Sequence, residues 1–75
     1  MSFHLPRETH DRLAIYDAAG RRLRLLHEGT LAVGTHAMTW DARDGSGRRV
    51  GPGVYFVLLE RNPLPGIVGR VVIVE

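Results

Sequence analysis

Apolar and polar residues alternate along most of this chain with the period of two that marks a strand with one covered face. Phe3 and Leu5 share a face of a short strand, Ser2–Leu5, which Pro6 ends because it has no amide to donate to a ladder. Residues 7–10 are polar, and Leu13 and Ile15 then alternate with Ala14 and Tyr16 in a second strand. The third, Arg21–His27, carries Leu23, Leu25 and Leu26, and the break in alternation between 25 and 26 predicts a bulge or a strand end. A helix drawn through 21–28 fits worse, because Gly20 and Gly29 bound the segment and strand signals lie on both sides. In residues 35–40 the inward set is His36, Met38 and Trp40. Arg48–Val50 reads as a short strand, and Val54–Leu59 is apolar on both faces, as in a central strand covered on two sides. Ile67–Val74, interrupted by Gly69-Arg70, is the last.

Seven short strands with turn signals every 8–12 residues or so predict an all-β fold: a small antiparallel sandwich of immunoglobulin-like or fibronectin type, although that spacing also allows a small barrel. The predicted core draws Phe3, Leu5, Leu13, Ile15, Leu23 and Leu26 from the first three strands. Met38, Trp40, Val50, Val54, Phe56, Leu58, Val71 and Ile73 complete it.

Two turns repeat each other. Asp17-Ala18-Ala19-Gly20-Arg21-Arg22-Leu23 and Asp44-Gly45-Ser46-Gly47-Arg48-Arg49-Val50 both read Asp-x-x-Gly-Arg-Arg-aliphatic. An Asp at the first corner of a four-residue turn accepts hydrogen bonds from the amides that follow, and Gly at its end takes a positive φ without strain. Each copy therefore predicts a β-hairpin. The segments around the copies do not match, so one chemistry has solved two turns and no duplication is implied. The Arg pairs left exposed, Arg21-Arg22 and Arg48-Arg49, together with Arg70, are the candidate partner-binding residues.

Composition narrows the function. The chain has 75 residues, 44% of them hydrophobic and 24% charged, which is one small domain, 1–75, of ordinary globular make-up. It starts directly in an apolar pair and so reads as a domain cut from a longer protein. With no cysteine, disulfides and thiolate metal sites are excluded and apolar packing must hold the core. No apolar run approaches the roughly 18 residues of a membrane span. All ten basic residues are Arg, set against eight carboxylates for a formal charge of +2. They are spread from Arg7 to Arg70 and form no block, which disfavours a nucleic-acid stripe.

No constellation for catalysis is present. Asp41, Asp44 and Ser46 place oxygens close together and are the weak candidates for a metal, calcium in particular, but the spacing is not that of an EF-hand loop and Pro52 stands where its closing Glu would be. Capping of turn amides is the commoner use of such residues. His4, His10, His27 and His36 are far apart in sequence, and there is no nucleophile elbow or phosphate loop. Trp40 and Tyr55 could form a sugar or base platform, but more often such rings fill the core while their polar tips find a backbone partner. No cofactor is expected, and no enzyme.

Taken together, Phe3-x-Leu5-Pro6, Leu13-x-Ile15-Tyr16-Asp17-x-x-Gly20-Arg21, Gly34-x-His36-x-x-x-Trp40-Asp41-x-x-Asp44-x-x-Gly47-Arg48-x-Val50 and Gly53-Val54-Tyr55-Phe56 resemble an Ig-like family. Its members occur in the flagellar hook-capping protein and, as type A C-terminal sorting domains of type IX secretion, in many exported bacterial proteins. The resemblance implies a β-sandwich without catalytic residues, placed at the C-terminus of a larger protein, and a protein partner, either secretion or surface machinery or the parent's other domains. From it we expect an accessory domain for secretion sorting, surface attachment or spacing, located outside the cell or on its surface and exported by a signal beyond this chain. A hook-capping-type assembly scaffold and a carbohydrate- or calcium-binding module are the alternatives.

Overall fold

A computed structural model describes residues 1–74. It contains six strands: β1 (Ser2–Leu5), β2 (Thr9–Asp17), β3 (Arg22–Leu31), β4 (Gly34–Ala37), β5 (Gly53–Asn62) and β6 (Ile67–Ile73). β1 and β4 form a two-stranded sheet, and the other four form a sheet in the order β3-β2-β5-β6. Every pairing is antiparallel. Leu13, Ile15, Val57 and Leu59 make the centre of the core between the sheets, with Phe3, Leu26, Met38, Trp40, Tyr55 and Val71 packed against them. Leu5 on β1 is also fully buried. This is the Ig-like sandwich the alternation predicts.

Three details differ from the sequence reading. The expected strand at 48–50 is reduced to a single bridge between Arg43 and Arg49, so there are six strands and the second Asp turn closes a tight loop where a hairpin was expected. Gly51 and Pro52 stop the returning arm just after Val50, whose amide donates to the Ala42 carbonyl at 2.8 Å. The second strand, read from Leu13 on, takes in part of the polar stretch before it, because β2 already begins at Thr9. Its Thr9 and Asp11 are buried.

The third difference is the parity of β5. The predicted core placed Val54, Phe56 and Leu58 inward, but the ladder sets Val57 opposite Ile15 and Leu59 opposite Leu13, so Tyr55, Val57 and Leu59 fill the core instead. Val54 is exposed. A run that is apolar at every position has no alternation to read, and a one-residue shift exchanges its faces. The anticipated break at Leu25-Leu26 is present: Ala14 pairs with Leu25 and Leu13 with His27, which leaves Leu26 as the unpaired bulge residue.

Candidate interaction surface

The two Asp-x-x-Gly turns are nearly superimposable in their bonding. In the first, which joins β2 to β3, the Asp17 Oδ1 accepts from the amides of Ala19 at 3.0 Å and Arg21 at 2.9 Å, and the Gly20 amide donates to the Asp17 carbonyl at 3.0 Å. In the second, the Asp44 Oδ1 accepts from the amides of Ser46 at 2.9 Å and Arg48 at 3.1 Å, and the Gly47 amide donates to the Asp44 carbonyl at 3.0 Å. Both glycines sit at φ 87°, where an L side chain is strained. The amide bond from Arg21 is the main cause holding the Asp17 carboxyl below the usual aspartate range, and the Ser46 hydroxyl is the main cause for Asp44. The second turn is pinned beside β3 by the Gly45 amide, which donates to the Leu23 carbonyl at 2.9 Å.

These bonds engage one carboxylate oxygen of each acidic residue considered as a metal candidate. Asp44 is occupied by its own turn, and the Asp41 Oδ1 accepts from the Arg43 amide at 3.1 Å and from the Arg24 guanidinium. Among the described residues no three His, Cys, Asp or Glu side chains gather as a metal-holding group. Trp40 and Tyr55 meet edge to face at 5.5 Å in the core. The indole donates to the Arg43 carbonyl at 2.8 Å and the phenol to the Gly51 carbonyl at 2.6 Å, so both polar tips are satisfied by backbone. The histidines stay apart: His36 Nε2 donates to the Ala32 carbonyl at 2.7 Å, and His4 Nδ1 lies 3.3 Å from the Thr35 hydroxyl.

The five candidate arginines divide by position. Arg21 folds back on Asp17, with Nε 2.8 Å from Oδ2. Arg48 and Arg49 are exposed in the second turn. Arg22 and Arg70 stand at the two ends of one row across the sheet, because Arg22 pairs with Tyr16, Tyr16 with Phe56, and Phe56 with Arg70. The row Arg22–Tyr16–Phe56–Arg70 crosses all four strands on the face turned away from β1 and β4. The neighbouring row is Leu25–Ala14–Leu58–Val68. Next to it Arg12 pairs with both Glu28 and Glu60, and its Nη2 lies 2.7 Å from the Glu28 carboxylate. The hydrogen bond from Arg12 lowers the Glu28 pKa.

A central strand covered on two sides was expected at Val54–Leu59, but among the described residues no second layer covers this outer face. Val68 and Val72 remain 66% and 58% exposed upon it. Its signal in the sequence was the run Val54–Leu59, which has more apolar positions than one core face can bury. A second residue escaped the sequence reading. Asp11 is fully buried, accepts the Thr9 hydroxyl on Oδ1 and has no partner on Oδ2 among the described residues. A carboxylate placed at an inward strand position gives no periodicity signal of its own.

Two packed antiparallel sheets, an Ig-like order of short strands and an arginine-framed apolar face define a small β-sandwich whose features are those of an interaction domain. The family model described as the FlgD Ig-like domain, named for the flagellar hook-capping protein, matches residues 1–62, and the chain belongs to that family. The match ends with β5 and leaves β6, with Arg70, outside it. No curated protein and no solved structure matches the chain.

Proposed function

We propose that this domain is a non-catalytic assembly module of the hook-capping kind, carried by a larger exported protein and presenting its four-stranded sheet to protein partners. The observation that carries the reading is the family match over β1–β5. It favours the hook-capping side of the resemblance over secretion sorting. The outer face supplies a surface for the role: Tyr16, Phe56 and Leu58 with the exposed Val68 and Val72 form an apolar centre. Arg22 and Arg70 frame it, suited to bidentate contact with partner carboxylates.

Deletion of residues 1–75 from the encoding gene in the source organism tests the reading. The expected result, seen by electron microscopy of isolated flagella, is basal bodies with absent or shortened hooks. Hooks of normal length would overturn it. The double substitution Arg22→Glu, Arg70→Glu is expected to reproduce the defect while leaving the melting temperature of the isolated domain unchanged, because neither residue is buried.

A further inference from the structure

The outer face of the four-stranded sheet changes sign from one margin to the other. Its middle row, Leu25–Ala14–Leu58–Val68, is apolar. On one side of that row lies the row ended by Arg22 and Arg70, and on the other the row in which Glu28 and Glu60 flank Arg12. All five charged residues are exposed. Glu28 is paired with Arg12, whereas Arg22, Arg70 and Glu60 make no ion pair among the described residues. One margin is therefore basic and the other acidic on balance, with an apolar stripe between them.

Such a face matches itself. A two-fold axis lying along the middle row turns one sheet over onto another, so that the apolar rows meet and the arginine row of each copy covers the glutamate row of the other. This rotation keeps every residue at its own strand position across the sheet. Arg22 then stands over Glu28 of the second copy, because both are on β3. Arg70 on β6 stands one strand to the side of Glu60 on β5, about 5 Å away in the plane of the sheet, which a guanidinium spans. Tyr16 stands over Arg12, a pairing in which the ring face attracts the cation. The alternative face-to-face two-fold, along the strands, sets Arg22 against Arg70 of the second copy, and like charge opposes it.

From this pattern we infer that the outer face is a self-association surface whose occupant is a second copy of this chain, with Arg22 and Arg70 of each copy on Glu28 and Glu60 of the other. The inference names the partner of the assembly module and to that extent rests on the function proposed above. The two fail separately, because a monomeric domain leaves the hook phenotype untouched and a dimer in solution needs no flagellum. Four strands at about 4.8 Å and three rows spanning about 14 Å make a small patch, at the low end of protein interfaces. Association is accordingly weak, with a Kd on the order of 100 µM. Copies held close together by their parent proteins in an assembly reach effective concentrations of about that value or higher.

The test is sedimentation equilibrium of the 75-residue chain from about 10 µM to 1 mM, with amide NMR spectra over the same range. A monomer–dimer equilibrium is expected, and the amide shifts that change with concentration should centre on Leu25, Leu58 and Val68. Arg22→Glu, Arg70→Glu and Glu28→Arg, Glu60→Arg should each weaken self-association by about tenfold or more. An equimolar mixture of these two double variants should associate at least as tightly as the native chain, since each then meets the opposite charge. Melting curves at about 1 µM, well below the expected Kd, report the monomer and verify that every variant is folded.

A monomer throughout the concentration range would overturn the inference. So would a dimer whose shifts lie on β1 and β4, or a mixture of the two double variants that fails to associate. Arg22→Glu alone should weaken the dimer; if it strengthens the dimer, Arg22 faces Arg70 and the proposed pairing is wrong. The full-length protein should also self-associate through this face. If it stays monomeric where the 75-residue chain dimerises, other residues of the parent cover the face and a second copy is not its occupant.

Discussion

The charge on Asp17 and Asp44 shows what a single side chain does in this fold. Each carboxylate is held below the ordinary aspartate value of 3.8, Asp17 chiefly by the Arg21 amide and Asp44 chiefly by the Ser46 hydroxyl. A depressed folded-state pKa contributes stability that is complete above the unfolded value and disappears as pH falls through the folded one. The melting temperature should therefore fall as the pH is lowered from about 4 toward 2. In the double substitution Asp17→Asn, Asp44→Asn this dependence should be visibly flatter, since asparagine still accepts the turn bonds but does not titrate. An unchanged pH profile in the variant would show that the turns do not depend on charge. These two residues were legible in the sequence because a turn is local: the Asp, the Gly and the amides they serve lie within five positions of one another. Asp11 was not legible, because its burial is imposed by β3 and β5 on either side of it.

At the scale of elements, glycine separates turns from strands. Gly20 and Gly47, both at φ 87°, close turns that only glycine closes without strain, so Gly20→Ala and Gly47→Ala should each cost about 1–2 kcal/mol in urea unfolding. If either variant unfolds at the native midpoint, the turn does not hold its left-handed geometry in solution. Gly69 has no such φ and no neighbour for a side chain to strike. The sequence marked Gly20 and Gly47 as turn residues by the Asp three positions before each, and Gly69 only as an interruption of the last strand. Strand existence was readable from alternation for β1, β2 and β4. The inward face of β5 was not, since Val54–Leu59 offers an apolar residue on either side and only pairing with Ile15 and Leu13 selects between them.

For the molecule as a whole, the small core sets the margin. A domain of this length has a net stability of about 4–11 kcal/mol at typical per-residue values. Ile15 is fully buried at the centre of the cluster, and Ile15→Ala should cost about 2–5 kcal/mol, enough to leave a large unfolded fraction near physiological temperature. Near-native thermal stability in that variant would mean that the inter-sheet core is not the main support. The equivalent truncation of Val68 on the outer face should leave stability almost unchanged, because most of its surface already meets water. Together these substitutions separate apolar residues that hold the fold from those available to a partner.

The sequence by itself determined the all-β class, the family resemblance, the Asp-Gly turns and the break in alternation at Leu25-Leu26. Each of these rests on short-range alternation or on bonds that close within a few residues. Only the tertiary structure decided which face of β5 is buried, that Asp11 lies in the interior, and that Arg22 and Arg70 share one row. All three depend on strand register, and that is set by contacts between segments far apart in the chain.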